Sequence, residues 1–235
     1  MKGTCTLLLL LSISATQSAL AQGRSAERFT DVYHVHFAKA ALGKAAQLGE
    51  FLKTQNPKAP MPGHQLVLRH QDGDTWDYAV IEHLGTKATV DAAGNPPPMA
   101  ARDLGEWHTD TFVAGPPWPE FARAMGIGSD SAAKTANSLY VVGVYRAAPG
   151  HRDQLEKLLS GPGGRGESAA GSVLMQHLEG GPWQYLDIIR HNSWQDFATS
   201  ESNNQALMRK SAGRWFEMRD HTAFHTDTIT DRIAP

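Results

Sequence analysis

The sequence has 235 residues, of which 41% are hydrophobic and 20% charged, and its formal net charge at pH 7 is -2. This length and composition are those of a folded protein with a sizeable core. The near-neutral charge and the scattered lysines and arginines exclude a general basic field that would attract nucleic acid or an anionic membrane.

The N-terminal segment has the pattern of a secretory signal peptide. Lys2 is followed by a short apolar run, Leu7–Leu11, and a small-residue cleavage site ends at Ala21. We therefore predict a signal peptide at residues 1–21 and a periplasmic or secreted mature protein that does not stay on a membrane. The single cysteine, Cys5, lies in this segment, so the mature chain offers neither a disulfide nor a thiolate ligand.

Two long segments of the chain resemble each other. Residues 33–52 read YHVHFAKAALGKAAQLGEFL, and residues 140–159 read YVVGVYRAAPGHRDQLEKLL, at an offset of 107 residues. Further pairs follow: His70 with His177, Trp76 with Trp183, Tyr78 with Tyr185 and, after one inserted residue, His83 with His191. His-Thr-Asp-Thr occurs at 108–111 and again at 225–228. These matches indicate a tandem duplication, with repeats at 30–114 and 138–233 joined by a linker at 115–137.

Each repeat has the same predicted order of elements. In the first, a strand at 31–37 and a helix at 45–52 precede a hairpin whose strands span 64–70 and 76–84. A second helix follows, which the prolines at 96–98 shorten or split, and then a strand that carries the His-Thr-Asp-Thr motif. In the second repeat this helix begins at the N-cap Ser193. Its apolar contacts come from Trp194, Phe197, Leu207, Met208, Ala212 and Trp215. Of these, Trp194, Phe197, Met208 and Trp215 are interpreted as core in the first place, with the lining of a ligand pocket as the alternative.

The order β-α-β-β-α-β is that of a ferredoxin-like unit, which packs its helices on one face of the sheet. The other face is apolar and needs cover. We therefore predict an α+β protein in which two tandem ferredoxin-like repeats pack sheet to sheet as a pseudo-dimeric barrel. The linker is predicted to contain a helical turn at 120–125 and to end in small polar residues.

This duplicated layout resembles the dimeric α+β barrel superfamily over nearly the whole mature chain. That superfamily includes stress-responsive barrel proteins, antibiotic-biosynthesis monooxygenases and two-copy haem enzymes related to chlorite dismutase. The resemblance implies a pseudo-symmetric barrel within one chain. It also implies that a pocket lies between a sheet and its helices or at the mouth of the barrel.

The histidines of the first strand are the main candidates for a site. His34 and His36 lie on the same face of that strand, whereas the second repeat has Val141 and Gly143 there. In the expected sheet the first strand lies between the third and the fourth. Candidate neighbours are therefore His108 and Asp110 on the fourth strand, and Asp77 or His83 on the third.

Two or three imidazoles with a carboxylate form the usual ligand set of zinc, copper or non-haem iron. We predict His34, His36 and His108 as metal ligands, and the same histidines with Asp110 as catalytic residues. The alternative is that they form hydrogen bonds within the barrel or at its rim. Because both repeats keep a His-Asp pair in the last strand, the motif itself is interpreted as structural in the first place, with general-base chemistry as the alternative.

The sequence thus predicts an exported protein with a pocket for a small-molecule ligand. The first functional hypothesis is a histidine-based oxidoreductase or monooxygenase-like enzyme, with a transition metal or haem as candidate cofactor. The alternatives are a non-enzymatic stress protein that binds a ligand or metal, and a structural module that interacts with further copies of the chain. No nucleic-acid partner is expected.

Overall fold

The structure, a computed structural model, describes residues 28–85, 102–128, 137–161 and 169–235. The strands of this part are β1 Asp31–Ala40, β2 Gln65–Asp72, β3 Tyr78–Gly85, β4 Gly105–Gly115, β5 Leu139–Ala147, β6 Gly171–Glu179, β7 Tyr185–His191 and β8 Thr222–Ala234. Its helices are α1 Ala45–Lys53, α2 Trp118–Met125, α3 Arg152–Ser160, α4 Trp194–Met208 and α5 Arg214–His221. None of these helices has the length and apolarity needed to cross a membrane. The predicted signal peptide and the prolines at 96–98 lie outside the described residues.

The strands form one closed antiparallel barrel in the order β1-β3-β2-β8-β5-β7-β6-β4, and β4 pairs back onto β1. The two halves repeat the same order, β4-β1-β3-β2 and β8-β5-β7-β6. The predicted α+β barrel is confirmed, but the halves are more than two sheets packed face to face. Their edges are hydrogen-bonded, β2 to β8 and β4 to β6, because pairing satisfies backbone groups that a sheet edge would leave open.

The inner faces of both halves share one hydrophobic core. In β1 the alternate residues Tyr33, Val35 and Phe37 point inward, and the equivalent residues Tyr140, Val142 and Val144 of β5 do the same. The indoles of Trp76 and Trp183 lie in this core. His70 packs edge-on against Trp76, and His177 packs in the same way against Trp183. The pairs that the two repeats share thus pack each hairpin onto the common core.

The first part of the linker belongs to the core. The predicted helical turn is the helix α2, whose Phe121 and Met125 are fully buried among the inward-facing residues of both halves. The equivalent tyrosines hold its two ends: Tyr33 donates to the carbonyl of Pro116 at 2.6 Å, and Tyr140 donates to that of Met125 at 2.9 Å. The linker helix is thus fixed by a matched contact from each half.

Charged residues complement the dipole of α2. The backbone N–H of Trp118 donates to Asp31 at the N-terminus. At the other end Arg190 donates to the carbonyl of Ala124, and Arg232 to that of Gly126, both at 2.9 Å. A carboxylate at the N-terminus and guanidinium groups at the C-terminus both stabilise a helix.

The pairing of strands corrects one match between the repeats. Tyr33 lies opposite His83, and its equivalent Tyr140 lies opposite Arg190. His83 therefore corresponds to Arg190 and not to His191, and the offset of 107 residues continues through it. The extra residue follows His83 in the first half, where a β-bulge between Val32 and Tyr33 accommodates it.

The repeated His-Thr-Asp-Thr motif joins the halves through its last threonine. Thr111 and Thr228 are both 1% exposed. The Oγ1 of Thr111 accepts a hydrogen bond from the backbone N–H of Gly181, and that of Thr228 accepts one from Asp74. Each half thus binds the hairpin turn of the other, which is a structural role of the kind that the repetition favours.

We expect Thr111→Val to lower the free energy of unfolding by about 1 kcal/mol, because the isosteric side chain leaves the part-buried N–H of Gly181 without its acceptor. Urea unfolding followed by tryptophan fluorescence measures the effect. Thr109→Val, at an exposed position of the same strand, is the matched control and should change stability by less than about 0.5 kcal/mol. Equal stability of the two variants would contradict the role given to Thr111.

The second helix of the second half is split in two. Ser193 caps α4 as predicted, since its hydroxyl accepts from the N–H of Asp196 at 3.1 Å. The chain then turns at Gly213, whose φ of 98° is an angle that glycine adopts without the strain that a side chain would cause. Helix α5 begins at the next residue. The interpretation of its apolar residues as core is wrong for Trp194 and Trp215, which are 56% and 42% exposed.

Candidate metal centre

The candidate site lies on the outer face of the first half, where three neighbouring strands meet. As predicted, β1 is central, between β3 and β4. His34 lies opposite Glu82 of β3 and Phe112 of β4, and His36 lies opposite Asp110 of β4. Because the alternate residues of β1 fill the core, both histidines point outward.

Both imidazoles contact one carboxylate oxygen. The Nε2 of His34 and the Nδ1 of His36 each lie 2.8 Å from Oδ1 of Asp110. One nitrogen from each histidine and one oxygen of Asp110 lie within 4.8 Å of one another. The two imidazole side chains are about three-quarters buried, whereas that of Asp110 is 44% exposed. The group can thus converge on one ion that solvent can reach.

The fourth predicted site residue lies beside this group. The Nε2 of His108 is 3.3 Å from Oδ2 of Asp110, and its side chain is 62% exposed. The structure therefore brings the four predicted residues together, with the three histidines around the carboxylate of Asp110. His108 is not one of the three residues whose ligand atoms converge, and its assignment as a ligand stays a prediction.

The neighbour on the third strand differs from the expectation. Asp77 binds the ammonium group of Lys39 and the N–H of Ala40, while His83 is 3% exposed and contacts Asp31 instead. Glu82 takes the expected place, with Oε2 3.8 Å from Nδ1 of His34. Which residue of β3 faces His34 depends on the register of two strands that are not adjacent in sequence, so local periodicity could not decide between them.

The carboxylates favour the charged form of His34. Burial opposes protonation, but Asp110 and Glu82 outweigh it and raise the pKa of His34 to about 9. In return, hydrogen bonds from His34 and His36 hold the pKa of Asp110 well below its usual range. The metal-free site is therefore an imidazolium–carboxylate pair at neutral pH, and a metal ion must displace the proton of His34.

This pair predicts a pH-dependent contribution to stability. Because the pKa of His34 is higher in the folded than in the unfolded state, its protonation stabilises the folded protein. This contribution is complete below about pH 6.5, the pKa of an unfolded histidine, and it disappears as the pH rises through about 9, the pKa of His34 in the folded protein. With allowance for the exposure of Asp110, we expect metal-free Asp110→Asn to be less stable than the original protein by about 1–2 kcal/mol at pH 5.5. At pH 9.5 the difference should be close to zero. Urea unfolding in EDTA at both pH values measures it, and an equal difference at both would contradict the assignment.

The second half lacks the equivalent histidines and glutamate. Strand pairing places Val141, Gly143 and Ile189 where the first half has His34, His36 and Glu82. Asp227, which pairs with Gly143, stands in the position of Asp110. Within the described part of the chain, no second group of converging ligands is found. The two halves therefore share a scaffold but differ in chemistry.

Comparison with known proteins identifies the fold. No protein-family model and no curated protein matches the sequence. Among solved structures, an anthrone oxidase-like protein matches with a TM-score of 0.62 at 14% identity, covering 88% of this chain and 93% of that chain. A proposed monooxygenase from Fusobacterium nucleatum matches with a TM-score of 0.58 at 9% identity, covering 87% and 93%. The chain therefore shares the α+β fold of these two structures, with eight antiparallel strands closed in a ring, as its duplicated sequence predicts.

Proposed function

We propose that this protein is an exported, metal-dependent oxidoreductase of small molecules, and that His34, His36 and Asp110 hold one divalent transition-metal ion. The observation that carries the proposal is the convergence of two imidazole nitrogens and one carboxylate oxygen within 4.8 Å. Export rests on the signal-peptide pattern of residues 1–21.

The donor set favours iron(II). Two histidines and one carboxylate on the same side of an ion, with further positions open, form the ligand set of non-haem iron oxygenases. Zinc accepts the same ligands in a tetrahedral site with an open fourth position. The similarity in fold to a proposed monooxygenase and to an anthrone oxidase-like protein supports oxidation over hydrolysis.

The surrounding residues suit this assignment. If Nε2 of His34 binds the ion, Nδ1 of the same ring faces Glu82, and a carboxylate in that position orients a ligand imidazole and raises its basicity. The ring of Phe112 lies 5.4 Å from that of His34 and gives the site an apolar wall. When bound, the metal supplies the electrophilic or redox centre, while these residues fix the ligands and shape the space beside them.

Metal analysis of protein purified without an affinity tag tests the proposal. We expect one equivalent of iron(II) or zinc per chain after anaerobic reconstitution, and its loss in the His34→Ala/His36→Ala double variant. His221→Ala, whose imidazole pairs with His151 in the second half, is the control and should keep the metal. Equal metal content in the double variant would contradict the site. In a parallel haemin titration, a Soret shift that depends on the same two histidines would identify haem as the cofactor of this site in place of a metal ion.

An oxidation assay tests the chemistry. Anthrone is the probe, and its oxidation by O2 to anthraquinone and water is followed by absorbance and oxygen uptake. We expect turnover that requires reconstituted metal and is lost in the double variant. Turnover at the same rate in the double variant would show that the metal is not used, and absence of turnover in metal-loaded protein would contradict an oxidation of this substrate type.

A further inference from the structure

The second half contains a cavity at the place that corresponds to the metal centre of the first. The cavity has a volume of about 190 Å³ and lies between the outer face of the sheet and the helices α4 and α5. Its floor includes Val141, Gly143 and Ile189, the equivalents of the residues that surround the candidate metal. A cavity of about 150 Å³ holds benzene, so this space admits a molecule with one or two rings.

The space above the floor depends on Gly143 and Tyr145. A side chain at Gly143 would collide with the hydroxyl group of Tyr145, and its Cβ would lie 2.8 Å from Oδ1 of Asp227. The Tyr145 hydroxyl instead donates to that oxygen at 3.1 Å. Burial raises the pKa of Tyr145 well above its usual value, so the phenol keeps its proton and remains a donor. A phenol has thus replaced the imidazoles as the partner of the aspartate, and the space above Gly143 is left for a ligand.

The charges around the cavity favour a cation. Asp187 is 2% exposed and lies at the floor, while Asp227 and Glu201 add two further carboxylates. The guanidinium group of Arg214 is the positive side chain among the lining residues, and its Nη2 lies 3.8 Å from Oδ2 of Asp187. His191 and His225 also line the cavity; counted as neutral, they leave three carboxylates against one guanidinium, a formal negative excess. Asp187 is buried and attracts a positive group strongly, whereas Asp227 and Glu201 are exposed and their attraction is screened by solvent.

The walls supply aromatic and apolar contacts. Phe197 of α4 and Trp215 of α5 line the cavity together with Met208 and Met218. The partial exposure of Trp215 places its indole where a ligand can reach it from solvent. The guanidinium group of Arg219 lies over the Trp215 ring, 4.9 Å from its centroid, so a ligand stacks on the other face of the indole or on Phe197.

We propose that this cavity binds a small aromatic amine, with its ammonium group toward the carboxylates and its rings against Phe197 and Trp215. The ligand site is separate from the metal centre, because the two occupy equivalent places in opposite halves of the barrel. In this proposal the first half of the duplicated fold binds an ion through imidazoles, and the second half binds an organic molecule in a pocket at the equivalent place.

Calorimetric titration with three indoles of similar size but different charge tests the proposal, with EDTA present to remove metal. The probes are tryptamine, which is cationic, 3-ethylindole, which is neutral, and indole-3-propionate, which is anionic. We expect one tryptamine per chain, bound at least about 10-fold more tightly than 3-ethylindole, with indole-3-propionate the weakest. Equal affinity for the three probes, or no binding of tryptamine, would overturn the proposal.

Substitutions locate the amine. Asp227→Asn preserves the volume of the side chain and should reduce the affinity for tryptamine about 10-fold, without changing that for 3-ethylindole. Ile189→Trp fills the floor and should abolish binding of all three probes; if it does not fold, Asp227→Asn still decides the question. If Asp110→Asn lowers the affinity for tryptamine and Asp227→Asn does not, the amine binds in the first half and the proposal is wrong. If Asp110→Asn loses the metal but still binds tryptamine, the metal site and the amine site are separate, as proposed.

Discussion

Replacing Asp110 with asparagine should lower the affinity of the protein for iron(II) or zinc by at least about 100-fold, or about 2.7 kcal/mol. The carboxylate is the one anionic member of the three converging ligands, and both imidazoles are positioned by hydrogen bonds to its Oδ1. An amide keeps the size of the side chain but loses the charge that a divalent ion requires. Competition with a chromophoric chelator at pH 7.5 measures the change.

The second half provides a matched control for this experiment. Asp227→Asn makes the same change at the equivalent position, where the partner of the carboxylate is Tyr145 and not a pair of imidazoles. We expect it to bind the metal as the original protein does. Comparable losses in the two aspartate variants would show that the metal does not distinguish the halves. In the same titration, an unchanged affinity of His108→Ala would show that this histidine is not a fourth ligand, because the loss of a ligand, or of a group that orients Asp110, weakens binding at least about 10-fold.

Removing the ring of Phe121 should destabilise the whole barrel by about 3–5 kcal/mol. The ring is fully buried, and its centroid lies 5.2 Å from that of Tyr33 and 5.3 Å from that of Trp118. Phe121→Ala therefore leaves a cavity where the linker helix meets the core of both halves. Urea unfolding measures the loss of stability.

Phe216→Ala is the control for this second experiment. Phe216 is in a helix as well, but its side chain is 36% exposed, so truncation should cost less than about 1 kcal/mol. If Phe121→Ala is as stable as Phe216→Ala, the linker helix is not part of the cooperative core. A single unfolding transition in both variants is expected, because β2–β8 and β4–β6 pairing and α2 join the halves.

The duplication made the fold predictable from the sequence. Two copies of one pattern indicated the order of strands in each half, and the alternation of β1 predicted that His34 and His36 share one face of the strand. Closure of the barrel was harder to predict from the sequence, because the β2–β8 and β4–β6 pairs join residues that are far apart in it. The burial of α2 was missed for a related reason: a segment rich in proline and small residues has the composition of a linker, and only the barrel interior explains Phe121 and Met125.

The candidate site was predictable in part. His34 and His36 stood out because they are absent from the second repeat, and Asp110 followed from the central place of β1. Glu82 was missed because local periodicity does not give the register of β1 against β3, two strands that are not adjacent in sequence. The pocket of the second half depends on Gly143 and Tyr145 acting together, and their combined effect appears only when the position of Asp227 is known.

The most direct test of the account is anomalous diffraction from crystals of the iron- or zinc-loaded protein. We expect one peak, about 2.1 Å from Nε2 of His34, Nδ1 of His36 and a carboxylate oxygen of Asp110, and no peak beside Asp227. A peak elsewhere, or no peak in crystals of protein that retains stoichiometric metal in solution, would contradict it.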